Sequence, residues 1–156
     1  MFKTSTYFVK GQIPGVTKSD LVKRYKQELE IQSVNNIVDN GDTIDFRNKV
    51  IKFVLNRYAD KFSSFSFGQI KIDDEGNEFG VHFKADWTRM FTSAGLLAGI
   101  VTILSFFSIG FKIFCLFVGI GVFALLITIG FISTSISFPI YFTSLRNNIE
   151  REFQKH

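Results

Sequence analysis

The sequence predicts a small α+β domain followed by a two-helix transmembrane hairpin. The 56 residues from Met90 to Leu145 contain a single charged residue, Lys112. Because a helix crosses the hydrocarbon core of a bilayer with about 20 apolar residues, this block is long enough for two spans. Residues 1–87 alternate strand and helix signals in the order β-α-β-β-α-β-β. The first six elements match the ferredoxin-like split βαβ pattern, and the seventh would extend the sheet and lead into the membrane.

The first strand and helix follow from alternation and capping signals. Residues Tyr7 to Ile13 favour a strand that Pro14-Gly15 ends. Thr17 or Ser19 can cap a helix that runs to about Glu30. The apolar residues of this segment recur at helical spacing, at Leu21, Val22, Tyr25 and Leu29.

Four more elements complete the predicted soluble domain. Residues 34–38 and 43–46 are expected to form strands joined by an Asn-Gly turn. Apolar residues between positions 50 and 62 recur at helical spacing and predict the second helix. Residues 65–73 and 78–86 alternate as two further strands around the turn at 74–77.

The uncharged block divides near residues 108–112. We expect spans at about 88–107 and 113–137, within a hairpin that covers residues 88–142. Pro139 disfavours a helical conformation at Phe138 and is expected to end or kink the second span. The alternative, a buried helix pair in a water-soluble protein, would require some 89 remaining residues to cover all of this apolar surface.

Residues typical of the headgroup region flank both spans. Trp87 and Arg89 precede the first span, Tyr141 and Arg146 follow the second, and Lys112 lies between them. Because the positive charge is concentrated on the side of the two termini, both are expected in the cytoplasm or its organellar equivalent. This orientation predicts a multi-pass protein of the inner, plasma or an organellar membrane.

Small residues recur at four-residue spacing in both predicted spans. They are Gly95 and Gly99 in the first span and Cys115 and Gly119 in the second. Small residues let helices approach closely in lipid, where packing drives association. Two interpretations stay open: the spans pack on each other, or they bind another subunit.

The last segment, residues 143–156, resembles a short amphipathic helix. Leu145, Ile149 and Phe153 are spaced four residues apart and would lie on the membrane or on the soluble domain.

The sequence predicts no catalytic residues, no metal site and no bound cofactor. His82 falls on a polar strand face and is interpreted as a surface histidine. The acidic residues around the turn at 74–77 do not have the spacing of an EF-hand and are interpreted as a solvated hairpin tip. The loose G-x-G-x-x-A match at 119–124 lies in a predicted span with no preceding strand, which excludes a dinucleotide site.

Charge argues against a nucleic-acid partner. Residues 1–89 contain 14 Lys/Arg and 12 Asp/Glu, and the rest of the excess lies beside the predicted spans, where it orients them. Basic residues on the first helix and at the start of the second are interpreted as solvated faces, with anionic headgroups or an acidic partner as the alternative.

Three functions follow as hypotheses. The first is a non-enzymatic, membrane-anchored interaction protein or accessory subunit, with the bilayer and a protein or a second copy as partners. The second is an oligomeric membrane-perturbing effector gated by its cytoplasmic domain. The third, an enzyme acting on a lipid headgroup, lacks a nucleophile and base in the sequence.

Overall fold

The computed structural model describes residues 1–32, 34–48, 61–109 and 112–155. Most of the helix predicted between positions 50 and 62 lies outside these residues. Within them the chain forms five strands and three α-helices: β1 (Phe2–Val9), α1 (Lys18–Ile31), β2 (Ile37–Asp39), β3 (Thr43–Arg47), β4 (Phe67–Glu75), β5 (Glu78–Ala85), α2 (Thr88–Ile109) and α3 (Lys112–Phe153).

The first strand lies earlier in the chain than its apolar pattern predicts. β1 pairs with β5 from Phe2↔Ala85 to Val9↔Glu78, and the chain then forms a short 3-10 turn. The prediction of a strand over residues 7–13 was therefore wrong at both ends. Phe2, Thr6 and Phe8 point alternately into the core, and cross-strand pairing with β5 stabilises the extended start of the chain.

The start of α1 is confirmed at Thr17. The Thr17 side chain accepts a hydrogen bond from the Asp20 backbone, and the Asp20 carboxylate accepts one from the Thr17 backbone. This capping box satisfies two backbone donors that the first helical turn leaves free. The hydrogen bonds from Thr17 hold the pKa of Asp20 below its ordinary value.

The five strands form one sheet in the order β1-β5-β4-β3-β2, and every described pair is antiparallel. The predicted ferredoxin-like topology is not confirmed. Among the described strands, β1 lies at one edge and pairs with β5 alone, and β3 pairs directly with β4. β5 therefore lies inside the sheet rather than extending it. β2, β3, β4 and β5 are neighbours in the sheet in the same order as in the chain, and the connection from β1 to β2, which contains α1, crosses from one edge of the sheet to the other.

One face of the sheet forms the core. Alternate residues of the strands are buried beneath α1 and the end of α3, including Phe8, Ile44, Ile70 and Phe83. The opposite face carries polar and charged side chains and is called here the outer face. An antiparallel sheet with one solvated face and one covered face is the arrangement that strand alternation predicts.

Helix α3 does not end at Pro139. It continues for 42 residues, about 63 Å at the usual rise per residue. An interior proline costs a helix about 3 kcal/mol. Burial offsets this cost, because Phe138, Phe142, Leu145 and Ile149 are all buried against the sheet, and full burial of one such side chain stabilises by about 1.5–3 kcal/mol. The residues predicted as a separate tail helix thus continue the second apolar helix and lie on the soluble domain.

Candidate functional site

The apolar parts of α2 and α3 leave most of their surface exposed. Both helices are long and apolar enough to cross a membrane, and 11% of each apolar window is buried. The exposed side chains are large, for example Leu97, Ile103, Leu104, Phe107, Ile113, Phe117, Leu125 and Ile132. Soluble monomers rarely expose so large an apolar surface.

The two helices contact each other through small side chains. Ala94 and Ala98 of α2 and Cys115 and Gly119 of α3 are buried. A Cβ atom added at Gly119 would lie 1.9 Å from the Thr102 hydroxyl oxygen. The close approach of α2 and α3 at this point depends on the missing side chain.

Gly95 and Gly99 lie on a different face of α2. Both are exposed; a Cβ atom at Gly99 would meet no described atom within 4 Å, and one at Gly95 would meet the Phe123 ring at 3.8 Å. Of the four predicted packing residues, the structure thus places Cys115 and Gly119 between the two helices. Contact of Gly95 and Gly99 with another subunit stays a prediction.

We expect Gly119→Ile to push α2 and α3 apart. The branched side chain has no space beside Thr102, whose hydroxyl donates to the Ala98 carbonyl 2.8 Å away. The free energy of unfolding of the full chain in detergent micelles should fall by about 2 kcal/mol. Gly99→Ile is the matched control and should leave this value nearly unchanged. Equal decreases in the free energy of unfolding of the two variants would contradict the described packing of α2 on α3.

The residues predicted at the membrane interface fall into two groups. Trp87 and Arg89 lie at the start of α2, where the Trp87 ring contacts Phe2 and Phe131 at centroid distances of 5.6 and 5.2 Å. Lys112 begins α3, and its side chain lies outside the described residues.

Tyr141 and Arg146 instead contact the soluble domain, because α3 continues along the sheet. The Tyr141 hydroxyl accepts a hydrogen bond from the Gln32 amide, and burial raises the pKa of Tyr141. The Arg146 guanidinium donates to the Tyr7 carbonyl at 2.8 Å and lies 5.3 Å from the centre of the Phe8 ring.

An aromatic junction joins α3 to the sheet. The Phe138 ring stacks on Phe83 at a centroid distance of 4.6 Å and contacts Phe2 and Phe65 edge-on at 5.4 and 5.1 Å. Offset and edge-on ring pairs add about 0.5–1.5 kcal/mol each beyond burial. The aromatic junction therefore attaches the C-terminal half of α3 to the α+β domain.

One buried hydroxyl beside this junction lacks a partner. Tyr25 is fully buried, and its hydroxyl makes no hydrogen bond to the residues that the structure describes. Burial raises the pKa of Tyr25, which keeps the phenol neutral.

A shallow groove of about 410 Å³ separates α1 from the end of α3. Its lining contains Arg24, Glu28, Tyr141, Arg151 and Glu152, among others. The charges are largely paired: the Arg24 guanidinium donates to both Glu152 oxygens at 2.6 and 3.0 Å, which raises the pKa of Arg24. Groups held in ion pairs of this kind stabilise the contact between α1 and α3 rather than forming a nucleophile and base.

The outer face of the sheet brings together three residues that sequence spacing keeps apart. His82 Nε2 lies 3.5 Å from a Glu75 oxygen and 3.8 Å from an Asp73 oxygen. We call Asp73, Glu75 and His82 the His82 cluster. The sequence interpretation of a surface histidine and a separate solvated hairpin tip missed this convergence. The sequence signal that could have revealed this convergence is the predicted β4–β5 hairpin, because alternate residues of its two strands lie on the same face of the sheet.

Comparisons with protein-family models, with curated proteins and with solved structures found no match to this chain. The function proposed below therefore depends on the chain's own residues.

Proposed function

We propose that the chain is a non-enzymatic, membrane-anchored interaction protein or accessory subunit. The α2–α3 hairpin crosses the bilayer, and the α+β domain docks a partner protein on the side of both termini. The observation that carries this proposal is the continuity of α3: one helix has an apolar, exposed first half and a second half that buries one face in the domain core, through Phe138, Phe142, Leu145 and Ile149.

Exposure supports insertion of the hairpin. A helix pair in the core of a soluble protein would be mostly buried, whereas here 11% of each apolar window is buried. The hydrocarbon core of a bilayer would cover the remaining surface. Lys112 is the one charged residue between Thr92 and Leu145, and it lies at the start of α3, next to the connection between the two helices. Insertion therefore places no charged side chain deep in the hydrocarbon core.

Charge and aromatic residues support the orientation. Arg89 lies at the first turn of α2, and Trp87 precedes it. Arg146 and Arg151 lie on α3 beyond the apolar half. Basic residues remain preferentially on the cytoplasmic side, which favours a cytoplasmic location of both termini and the α+β domain.

The continuous α3 would hold the domain at a fixed position relative to the bilayer. With the second half of α3 on its core face, the sheet turns its polar outer face away from the helices. A partner can dock on this surface without displacing the core. Such rigid presentation suits an accessory subunit of a larger membrane assembly, because loss of orientational freedom on binding is reduced.

Cysteine labelling tests insertion and orientation together. In a Cys115→Ser background, Ser108→Cys places a thiol between the spans, and Gln154→Cys places one at the end of α3. A membrane-impermeant maleimide should label the first variant in intact cells and the second only after permeabilisation. Release of the protein from membranes by alkaline washing would contradict insertion, and the reverse labelling pattern would contradict the orientation.

Purification in mild detergent tests docking separately. We expect the natively expressed chain to elute in a complex larger than one chain and its micelle. A monomer in every mild detergent would contradict the interaction role while leaving the anchor intact.

The effector alternative has one observation in its favour. Gly95 and Gly99 are exposed on α2 and could allow helices of several copies to approach closely. Vesicle leakage that depends on both glycines, and that is lost when they are replaced by isoleucine, would favour it over the accessory role.

A further inference from the structure

We propose that the His82 cluster on the outer face of the sheet binds a divalent first-row transition-metal ion of the zinc type. The cluster offers one imidazole nitrogen and two carboxylate oxygens, which lie within 4.8 Å of one another. This ligand set matches the preferences of Zn²⁺ for nitrogen and oxygen donors. The inference does not depend on insertion of the hairpin.

The distances within the cluster agree with one shared ion. Zinc binds nitrogen and oxygen at about 2.0–2.2 Å, so two ligands of a tetrahedral site are separated by about 3.3–3.6 Å. The His82 nitrogen lies 3.5 Å from Glu75 and 3.8 Å from Asp73. These two distances are within a few tenths of an ångström of a tetrahedral separation, and all the ligand atoms lie within 4.8 Å of one another, so the two carboxylates would have to move towards each other by at most about 1–1.5 Å. Three protein ligands leave the fourth position for water or for a ligand from a partner.

Gly80 makes the convergence possible. In the β4–β5 register Asp73 faces Gly80, Lys71 faces His82 and Glu75 faces Glu78. Glu75 and His82 are therefore separated along the strands and meet only by reaching across Gly80. A Cβ atom at Gly80 would lie 2.9 Å from His82 Nε2 and 3.0 Å from the Glu75 oxygen. The missing side chain leaves the space in which the two ligand atoms approach.

Neighbouring residues of β1 orient the imidazole. Ser5 lies directly opposite His82 in the β1–β5 register, and its hydroxyl is 2.8 Å from His82 Nδ1. The Tyr7 ring contacts the imidazole edge-on at 6.0 Å. A hydrogen bond from Nδ1–H to the serine oxygen leaves the lone pair of Nε2 directed at the carboxylates. Metal-binding histidines use their second nitrogen in the same way.

Lys71 is the main competitor of a metal ion. Its ammonium group lies 2.8 Å from both Asp73 oxygens, and this interaction holds the pKa of Asp73 below its ordinary value. Both side chains are partly exposed, and an ion pair of this kind contributes about 0–1 kcal/mol. A divalent ion with two further ligands can therefore displace the lysine.

Titration calorimetry with ZnCl₂ tests the proposal. The protein is the untagged full chain in detergent micelles with Cys115→Ser, which removes the one thiol in the sequence. We expect one Zn²⁺ per chain. His82→Gln and Glu75→Gln should each weaken binding by more than about 100-fold, and Ser5→Ala by about 10-fold. Lys71→Gln should strengthen binding by up to about fivefold, because it removes the competing cation.

Two matched variants distinguish a specific metal site from non-specific attraction of Zn²⁺ to acidic residues. Asp73→Asn and Asp74→Asn change the net charge equally, but Asp74 is bonded to Lys10 rather than to the cluster. We expect Asp73→Asn to weaken binding and Asp74→Asn to have little effect. Gly80→Ala should also weaken binding.

Thermal unfolding distinguishes a variant that has lost Zn²⁺ binding from a variant that has failed to fold. Zn²⁺ should raise the thermal midpoint of the parent chain but not that of His82→Gln, with circular dichroism confirming that both are folded beforehand. Zn²⁺ binding that is unchanged by His82→Gln, or equal losses for Asp73→Asn and Asp74→Asn, would overturn the proposal. So would the absence of binding to the folded parent chain.

Discussion

Phe138→Ala is expected to lower the free energy of unfolding by about 3–5 kcal/mol, because it removes the central ring of the aromatic junction. Phe138 is buried and contacts rings from β1, from β5 and from the segment between β3 and β4. Its removal leaves a cavity among Phe2, Phe65 and Phe83 that these large side chains can fill only in part. The loss would weaken the contact between α3 and the sheet.

Urea unfolding of the full chain in detergent micelles measures this effect. Trp87 is the one tryptophan in the sequence and contacts Phe2 and Phe65, so its fluorescence reports on the junction. Ile140→Ala is the control on the same helix, since Ile140 is 66% exposed. We expect a change below about 0.5 kcal/mol for it. Similar losses in both variants would contradict the described docking of α3.

Gly68→Ala is expected to cost about 3 kcal/mol through overpacking. Gly68 faces Phe46 across the β3–β4 pair, and an added Cβ atom would lie 2.2 Å from the tip of the Phe46 ring. The ring cannot move away, because it is fully buried against Phe62 and Phe83. One methyl group would therefore displace the strand or the ring.

Two further variants make this prediction specific. Gly11→Ala adds the same methyl group where no described atom lies within 4 Å, and it should be nearly neutral. Phe46→Leu introduced together with Gly68→Ala should recover part of the loss, because the shorter side chain makes room for the methyl group. If the double variant lost the sum of the two single losses, the clash with Phe46 would not be the cause.

Local sequence signals placed several elements correctly. Thr17 and Asp20 define the start of α1 by hydrogen bonds between residues three positions apart. The hairpin of β4 and β5 follows from alternation on either side of Gly76-Asn77. These elements depend on interactions within a few residues, so the local sequence contains the information that specifies them.

Other predictions failed where distant residues compete with local preference. The local signal at Pro139 predicts an end or a kink of the helix; the helix does not end there, because burial of Phe138 and Phe142 against β1 and β5 stabilises its continuation. The local order of elements matches a split βαβ pattern, but strand order is a matter of pairing between distant segments. β1 pairs with β5, some 76 positions away, and no spacing rule within one sequence specifies that choice.

The candidate sites differ in the same way. The apolar α2–α3 hairpin was determined by the sequence alone, because a run of uncharged residues has the same length and hydrophobicity in any fold. Tertiary packing decided which glycines lie at the contact between α2 and α3: Gly119 contacts Thr102, whereas Gly99 is exposed. The His82 cluster depends on both the local sequence and the tertiary structure. Strand alternation put its residues on the outer face, and only the register across Gly80 brought a nitrogen and two carboxylates within reach of a single ion.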